Sequence, residues 1–322
     1  MAPLLLRRTW LLGVPPVLLG CSRTSPGASS DAPPSPSISS VRLTEPASSI
    51  SSEVPSSLVN ARLLPFGGRQ TAVVVAPTWT GTVRLPVLVA LHGLGESRKG
   101  LEGGAWGWAR DYGLELAMAR LHRPPLTVDD FQGIYDQPRV DRINASLTER
   151  PFRGLIVVCP YTPDLLREKT LDNAGPFASF VVKELLPTVR GTYPTLSGRE
   201  ATGIDGVSLG GRVALLVGLL HPEVFGVIGS LQAALQVTEA RPLAKRVLTA
   251  REKASPLRLR LVTSEKDFYR GEILAFHREL ERLRQEHEHL VVPGPHDYSF
   301  NRGPGAIEML LWHDRVLRGE AG

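Results

Sequence analysis

Ala201-Thr202-Gly203-Ile204-Asp205-Gly206-Val207-Ser208-Leu209-Gly210-Gly211, running on into Arg212-Val213-Ala214-Leu215-Leu216-Val217, decides how the rest of the chain is to be read. Residues 201–207 have the character of a buried strand. Leu209 to Leu220 is apolar nearly all round, as in a helix enclosed by other elements. Only Ser208 lies between the two. A serine on so sharp a strand-to-helix bend is pushed out at the sheet edge with strained dihedrals. Glycines two residues to either side, Gly206 and Gly210, are needed where the strand and helix backbones approach each other. The N-terminus of the helix also points N–H groups and a positive dipole end at whatever reacts there.

Working outward, short apolar runs recur at 71–76, 85–91, 155–159, 224–229, 257–263 and 289–292. Helical patterns fall between them at 177–190, 209–220, 272–287 and 306–317. Strands that are apolar on both faces, alternating with helices, predict a mainly parallel sheet covered on both sides. In such a sheet functional groups collect in the loops after the C-terminal strand ends. The stretch from about 100 to 151 is too long for a simple crossover. It reads as a helix plus an irregular excursion. Two readings stay open: a cap over the site, with Trp106, Trp108 and Phe131 lining an acyl or aromatic pocket, or an ordinary helix with a surface insertion.

A serine nucleophile needs a base, and the base needs an orienting carboxylate. Of eight histidines, His277, His287 and His313 sit in helical patterns, His122 and His221 flank helix ends, His289 opens a strand and His92 belongs to a glycine turn. His296 lies in Pro293-Gly294-Pro295-His296-Asp297-Tyr298, between the last strand and the last helix, where a loop can carry an imidazole to the nucleophile. Asp267, after the 257–263 strand, is the preferred acid. Glu265 is the runner-up, and Asp297, adjacent to the base, is a weaker choice. Ser208, Asp267 and His296 follow the Ser–acid–His order of the α/β-hydrolase fold. Leu91-His92-Gly93-Leu94-Gly95, straight after a buried strand, is placed to give the Leu94 amide to an oxyanion, with the Leu209 amide as the second donor.

From Glu184-Leu185-Leu186-Pro187 through Tyr193 and Gly206-Val207-Ser208-Leu209-Gly210-Gly211 to His221-Pro222-Glu223-Val224-Phe225-Gly226, the chain resembles an esterase family of α/β-hydrolases. S-formylglutathione hydrolase (esterase D), bacterial feruloyl esterases and mycolyltransferases belong to that family. The resemblance spans roughly residues 70–318. It implies Ser208 as nucleophile, Asp267 as acid and His296 as base. The expected activity is a serine carboxylesterase acting through an acyl-enzyme on a small-molecule or polysaccharide-linked ester, without metal or organic cofactor. The alternatives are an acyltransferase using the same triad and a non-catalytic binding lipoprotein with a hydrolase fold.

Composition bounds these readings. The 322 residues are 42% apolar and 21% charged, a globular balance with no uninterrupted apolar run long enough for a multi-span membrane protein. Two cysteines, Cys21 and Cys159, exclude a disulfide scaffold and a cysteine-based zinc module. The +5 charge is scattered, which argues against nucleic-acid binding. Arg7-Arg8 precede an apolar stretch ending in Leu18-Leu19-Gly20-Cys21, the layout of a signal peptide and similar to a bacterial lipobox. Residues 1–20 are therefore expected to be removed and Cys21 lipidated, placing the chain in the cell envelope on a lipid anchor. Residues 22–57 hold 14 serines and 6 prolines, the composition of a disordered tether. The catalytic domain is expected over 58–322.

Overall fold

A computed structural model describes residues 58–317 apart from positions 80, 82 and 169. The expected signal peptide, Cys21 and the tether lie outside the described residues. Eight strands form one sheet: β1 (Val59–Phe66), β2 (Gln70–Pro77), β3 (Val87–Leu91), β4 (Ile156–Pro160), β5 (Thr202–Gly206), β6 (Val227–Leu231), β7 (Arg258–Lys266) and β8 (Glu288–Pro295). Their order is β1-β2-β4-β3-β5-β6-β7-β8. β1 pairs antiparallel with β2, and β2 antiparallel with β4, while all pairs from β4 to β8 are parallel. This is the α/β-hydrolase fold.

Every residue of β3, β4, β5 and β6 is buried. Alternate side chains enter two separate cores, because successive strand residues point to opposite faces. Val87, Val89 and Leu91 pack with Phe177, Leu186, Val213, Leu216, Val247 and Phe276 on one face. Leu88 and Ala90 pack with Trp108, Leu114, Met118, Val140 and Leu310 on the other. The helix Leu209–Leu220 is buried at every residue but its last, which accounts for its uniformly apolar sequence.

The 100–151 region is no cap. Its helices Gly100–Ala105, Leu114–Leu121 and Gln137–Glu149, with short turns between them, are built into the second core alongside the last helix, Ala306–Val316. Trp108 and Phe131 are fully buried, and Phe131 stacks on Tyr135 with ring centroids 4.7 Å apart. Uncovering either ring would forfeit about 2–3 kcal/mol of burial. The expectation that these two side chains line a substrate pocket is therefore corrected: they hold the helical layer to the sheet. Trp106 is half-buried, with the Arg110 guanidinium 3.7 Å above its ring.

Candidate active site

Ser208 sits where the sequence places it, after Val207 in the two-residue bend between β5 and the helix Leu209–Leu220. Its backbone is strained, with φ 58° and ψ −117°. A non-glycine residue there costs on the order of 1–3 kcal/mol and is tolerated only where neighbours enforce it. Here the Ser208 amide donates to the Leu231 carbonyl (2.9 Å), and the Ser208 carbonyl accepts from the Ala234 amide (2.9 Å). The flanking glycines have no room for side chains. A methyl on Gly210 would lie 2.1 Å from the Leu91 carbonyl oxygen, and one on Gly206 would lie 2.5 Å from the Gly210 backbone.

Asp267 and His296 are brought together at the ends of β7 and β8. His296 Nδ1 lies 2.8 Å from Asp267 Oδ1. The same oxygen accepts from the Tyr269 amide (2.9 Å), while Oδ2 accepts from the Thr263 hydroxyl (2.7 Å). The carboxylate is buried, so these donors replace the water it has lost. Asp267 can accept only, which assigns the Nδ1 proton to His296 and leaves Nε2 as the ring's acceptor. The exposed ring of Phe268 lies against the imidazole with centroids 4.1 Å apart.

Two ties hold the histidine loop to the serine turn. Gln232, in the buried turn after β6, donates from Nε2 to Ser264 Oγ (2.7 Å) and to the Pro295 carbonyl (2.8 Å). It follows Leu231, whose carbonyl takes the Ser208 amide. The second tie runs through Glu96. This buried carboxylate accepts hydrogen bonds from the hydroxyls of Tyr112 and Tyr298. The Gly93 amide in turn donates to Tyr112 Oη at 3.2 Å. A methyl on Gly93 would lie 3.8 Å from Ser208 Cβ, and one on Gly95 would lie 3.3 Å from Tyr298 Oη. The chain just after His296 thus reaches the loop that faces Ser208.

Leu94 and Leu209 each open a helix, Leu94–Ser97 and Leu209–Leu220. Their amides are therefore first-turn donors with no partner inside the helix. His92 anchors the first of these loops. Its Nδ1 lies 2.9 Å from the Gly93 carbonyl, and its Nε2 accepts from the Thr162 amide at 2.8 Å. Burial lowers its pKa from 6.5 to about 4, so the ring is neutral and holds both bonds. Glu265, the alternative acid, is exposed at the end of β7. The Asp297 carboxylate instead caps the turn that follows it, accepting from the Ser299 and Phe300 amides.

Glu96, Tyr112, Thr263, Gln232 and Phe268 are site residues that the sequence reading missed. Tyr298 and Glu96 stood beside predicted motifs, but no local pattern announces a contact across 202 positions. Among the described residues, no group of three or more His, Cys, Asp or Glu side chains is arranged to hold a metal ion. Nor is any described helix long and apolar enough to cross a membrane.

Residues 166–299 match the family described as "Putative esterase", a stretch containing Ser208, Asp267 and His296. A comparison with curated protein sequences returns no match. Several solved structures share the fold. A ferulic acid esterase superposes with a TM-score of 0.60 at 15% identity, over 80% of this chain and 98% of that one. S-formylglutathione hydrolase (FrmB) from Staphylococcus aureus gives 0.55 at 16% identity, over 80% and 97%. The enterobactin esterase FES from Shigella flexneri gives 0.51 at 20% identity, over 78% and 59%. At these identities the likeness is one of fold.

Proposed function

We propose that the chain is a serine carboxylesterase acting through an acyl-enzyme on Ser208. The observation that carries this reading is the part-buried Asp267–His296 hydrogen bond at the same sheet edge as a strained, solvent-reached serine. His296 Nε2 takes the Ser208 proton as Oγ attacks the ester carbonyl. Asp267 holds the ring tautomer and stabilises the imidazolium that forms. The Leu94 and Leu209 amides donate to the tetrahedral oxyanion. His296 then protonates the leaving alcohol, and water, activated by the same imidazole, releases the acid.

The substrate class is a small-molecule or polysaccharide-linked ester. The esterase family match and the ferulic acid esterase neighbours support it. The Phe268 ring beside His296 supplies an apolar shelf for one side of the ester. The test is hydrolysis of a short-chain nitrophenyl ester by the purified protein, with Ser208→Ala as the comparison. Turnover should fall by at least about 10⁴-fold. Unchanged turnover would move the nucleophile elsewhere. For the envelope assignment, palmitate labelling should disappear in Cys21→Ala, and retained label would remove the lipid anchor.

A further inference from the structure

We propose that the chain carries a second ligand site, at the opposite end of the strands from Ser208, that takes a small organic carboxylate with an apolar body. A cavity of about 370 Å³ lies between the helices Gln137–Glu149 and Ala306–Val316. Each helix turns one face to it: residues 139, 142, 143 and 146 from the first, and 308, 311, 312 and 315 from the second. Both sets follow the spacing i, i+3, i+4, i+7, which is one helical stripe. Arg260 of β7 and Glu288 of β8 close its inner end. Glu288 is the first residue of β8, whereas His296 follows its last. The length of that strand, about 25 Å, separates the cavity from the candidate active site.

Four guanidiniums and two carboxylates line this space. The carboxylates are already engaged. Glu308 accepts from Tyr135 Oη (2.9 Å) and Arg260 (2.8 Å), with Arg139 at 3.6 Å. Glu288 accepts from Trp312 Nε1 at 2.7 Å. Arg142 has no ion pair among the described residues. The half-buried Arg315 guanidinium hydrogen-bonds the Ser146 carbonyl at 3.5 Å and, among the described residues, makes no close ion pair, although the Asp314 and Glu308 charges lie near enough to act on it. Arg142 and Arg315, two cations without a close ion pair among the described residues, therefore come from facing helices and border one cavity. A carboxylate between them would gain charge-assisted hydrogen bonds and relieve a partly desolvated charge. Ile143, Leu311 and Trp312 form the apolar wall on which its body would rest. At about 30 Å³ per non-hydrogen atom the space holds roughly a dozen.

The probe is 2-naphthoate, with 2-naphthamide as its uncharged counterpart, titrated calorimetrically into the full chain. Saturable 1:1 binding is expected, weakened about tenfold or more by removal of the charge and by Arg142→Glu or Arg315→Gln, each of which removes one charged donor. Arg142 is exposed, so its substitution leaves folding intact, and ester hydrolysis should be unchanged in both variants. Octanoate should displace naphthoate, and inorganic phosphate at the same concentration should not. The proposal is overturned by absence of saturable binding, by wild-type affinity in both variants, by equal affinity for the amide, or by displacement with phosphate as effective as with octanoate.

Discussion

The hydroxyl of Tyr298 donates to the carboxylate of Glu96 across 202 positions of sequence. Tyr298 stands two residues after His296, and Glu96 two residues after Leu94, so this bond joins the loop of the proposed base to the loop of a proposed oxyanion donor. Tyr112 completes the link by donating to the same carboxylate while accepting from the Gly93 amide. Burial, and then the neighbouring Glu96 charge, hold the Tyr112 phenol proton well above its usual range, so it remains a donor throughout the working pH range. Tyr298→Phe and Glu96→Gln should each lower kcat while changing KM little, because the loops' relative placement matters most once charge develops on the oxygen. In a double-mutant cycle on kcat/KM, the two changes should couple by about 1 kcal/mol. Strict additivity would sever the link between the two loops.

The strain at Ser208 makes a prediction about stability that is separate from chemistry. With φ at 58° and ψ at −117°, glycine adopts this backbone without the clash that any Cβ suffers. Ser208→Gly should therefore be more stable than Ser208→Ala by about 1 kcal/mol in urea unfolding, with both inactive. Equal stability of the two would mean that the bend is unstrained.

Phe268 is 67% exposed, although it is a large apolar side chain resting on the His296 imidazole. If it is a shelf for substrate, Phe268→Ala should raise KM for esters with bulky apolar groups by about tenfold, in line with losing one apolar contact. Acetate esters should be affected much less. The Asp267–His296 bond, made at the ring-edge Nδ1, should persist. A uniform loss across all esters would instead make Phe268 a support for the imidazole.

The parts of this site legible in the sequence were those set by local backbone demands. Gly206, Ser208 and Gly210 could be read because strand, bend and helix are consecutive, and β3 and β4 because strands buried on both faces are continuously apolar. β6 was expected at 224–229 and lies at Val227–Leu231, because Phe225 belongs to the core packing before the strand starts. β1 was missed. It is an edge strand with three of its eight residues exposed, Arg62 and Pro65 among them, although Gly67 and Gly68, both at positive φ, mark the hairpin turn. The helix Ala240–Lys253 was missed because its buried stripe is mostly alanine. The helix expected to reach 287 stops at Arg282, and Arg284 takes φ 52°. Trp108 and Phe131 were misassigned because aromatic content alone does not distinguish a pocket wall from a core. The Glu96 and Gln232 ties are contacts between loops far apart in sequence, and such contacts leave no periodic trace.

His92 ties acid sensitivity to the same loop. Its ring is buried and neutral, with a pKa lowered by burial from 6.5 to about 4. Above about pH 6.5 neither the folded nor the unfolded chain protonates this ring, so it adds no pH dependence. As pH falls below that value the unfolded chain binds a proton and the folded chain does not, and stability is lost progressively until about pH 4. Between pH 7 and pH 5 this one group should remove about 2 kcal/mol. Comparison of urea unfolding at the two pH values in wild type and His92→Gln isolates it. The variant should be less stable at pH 7, because two bonds to the loop are altered, and should lose about 2 kcal/mol less on acidification. Because Nδ1 holds the Gly93 carbonyl, protonating the ring also breaks the acceptor contact to the Thr162 amide and frees the loop that carries Leu94. Activity should therefore fall with unfolding below about pH 5. An identical pH slope in the variant would assign the acid sensitivity to other histidines, such as the half-buried His122, whose pKa desolvation also lowers to about 4.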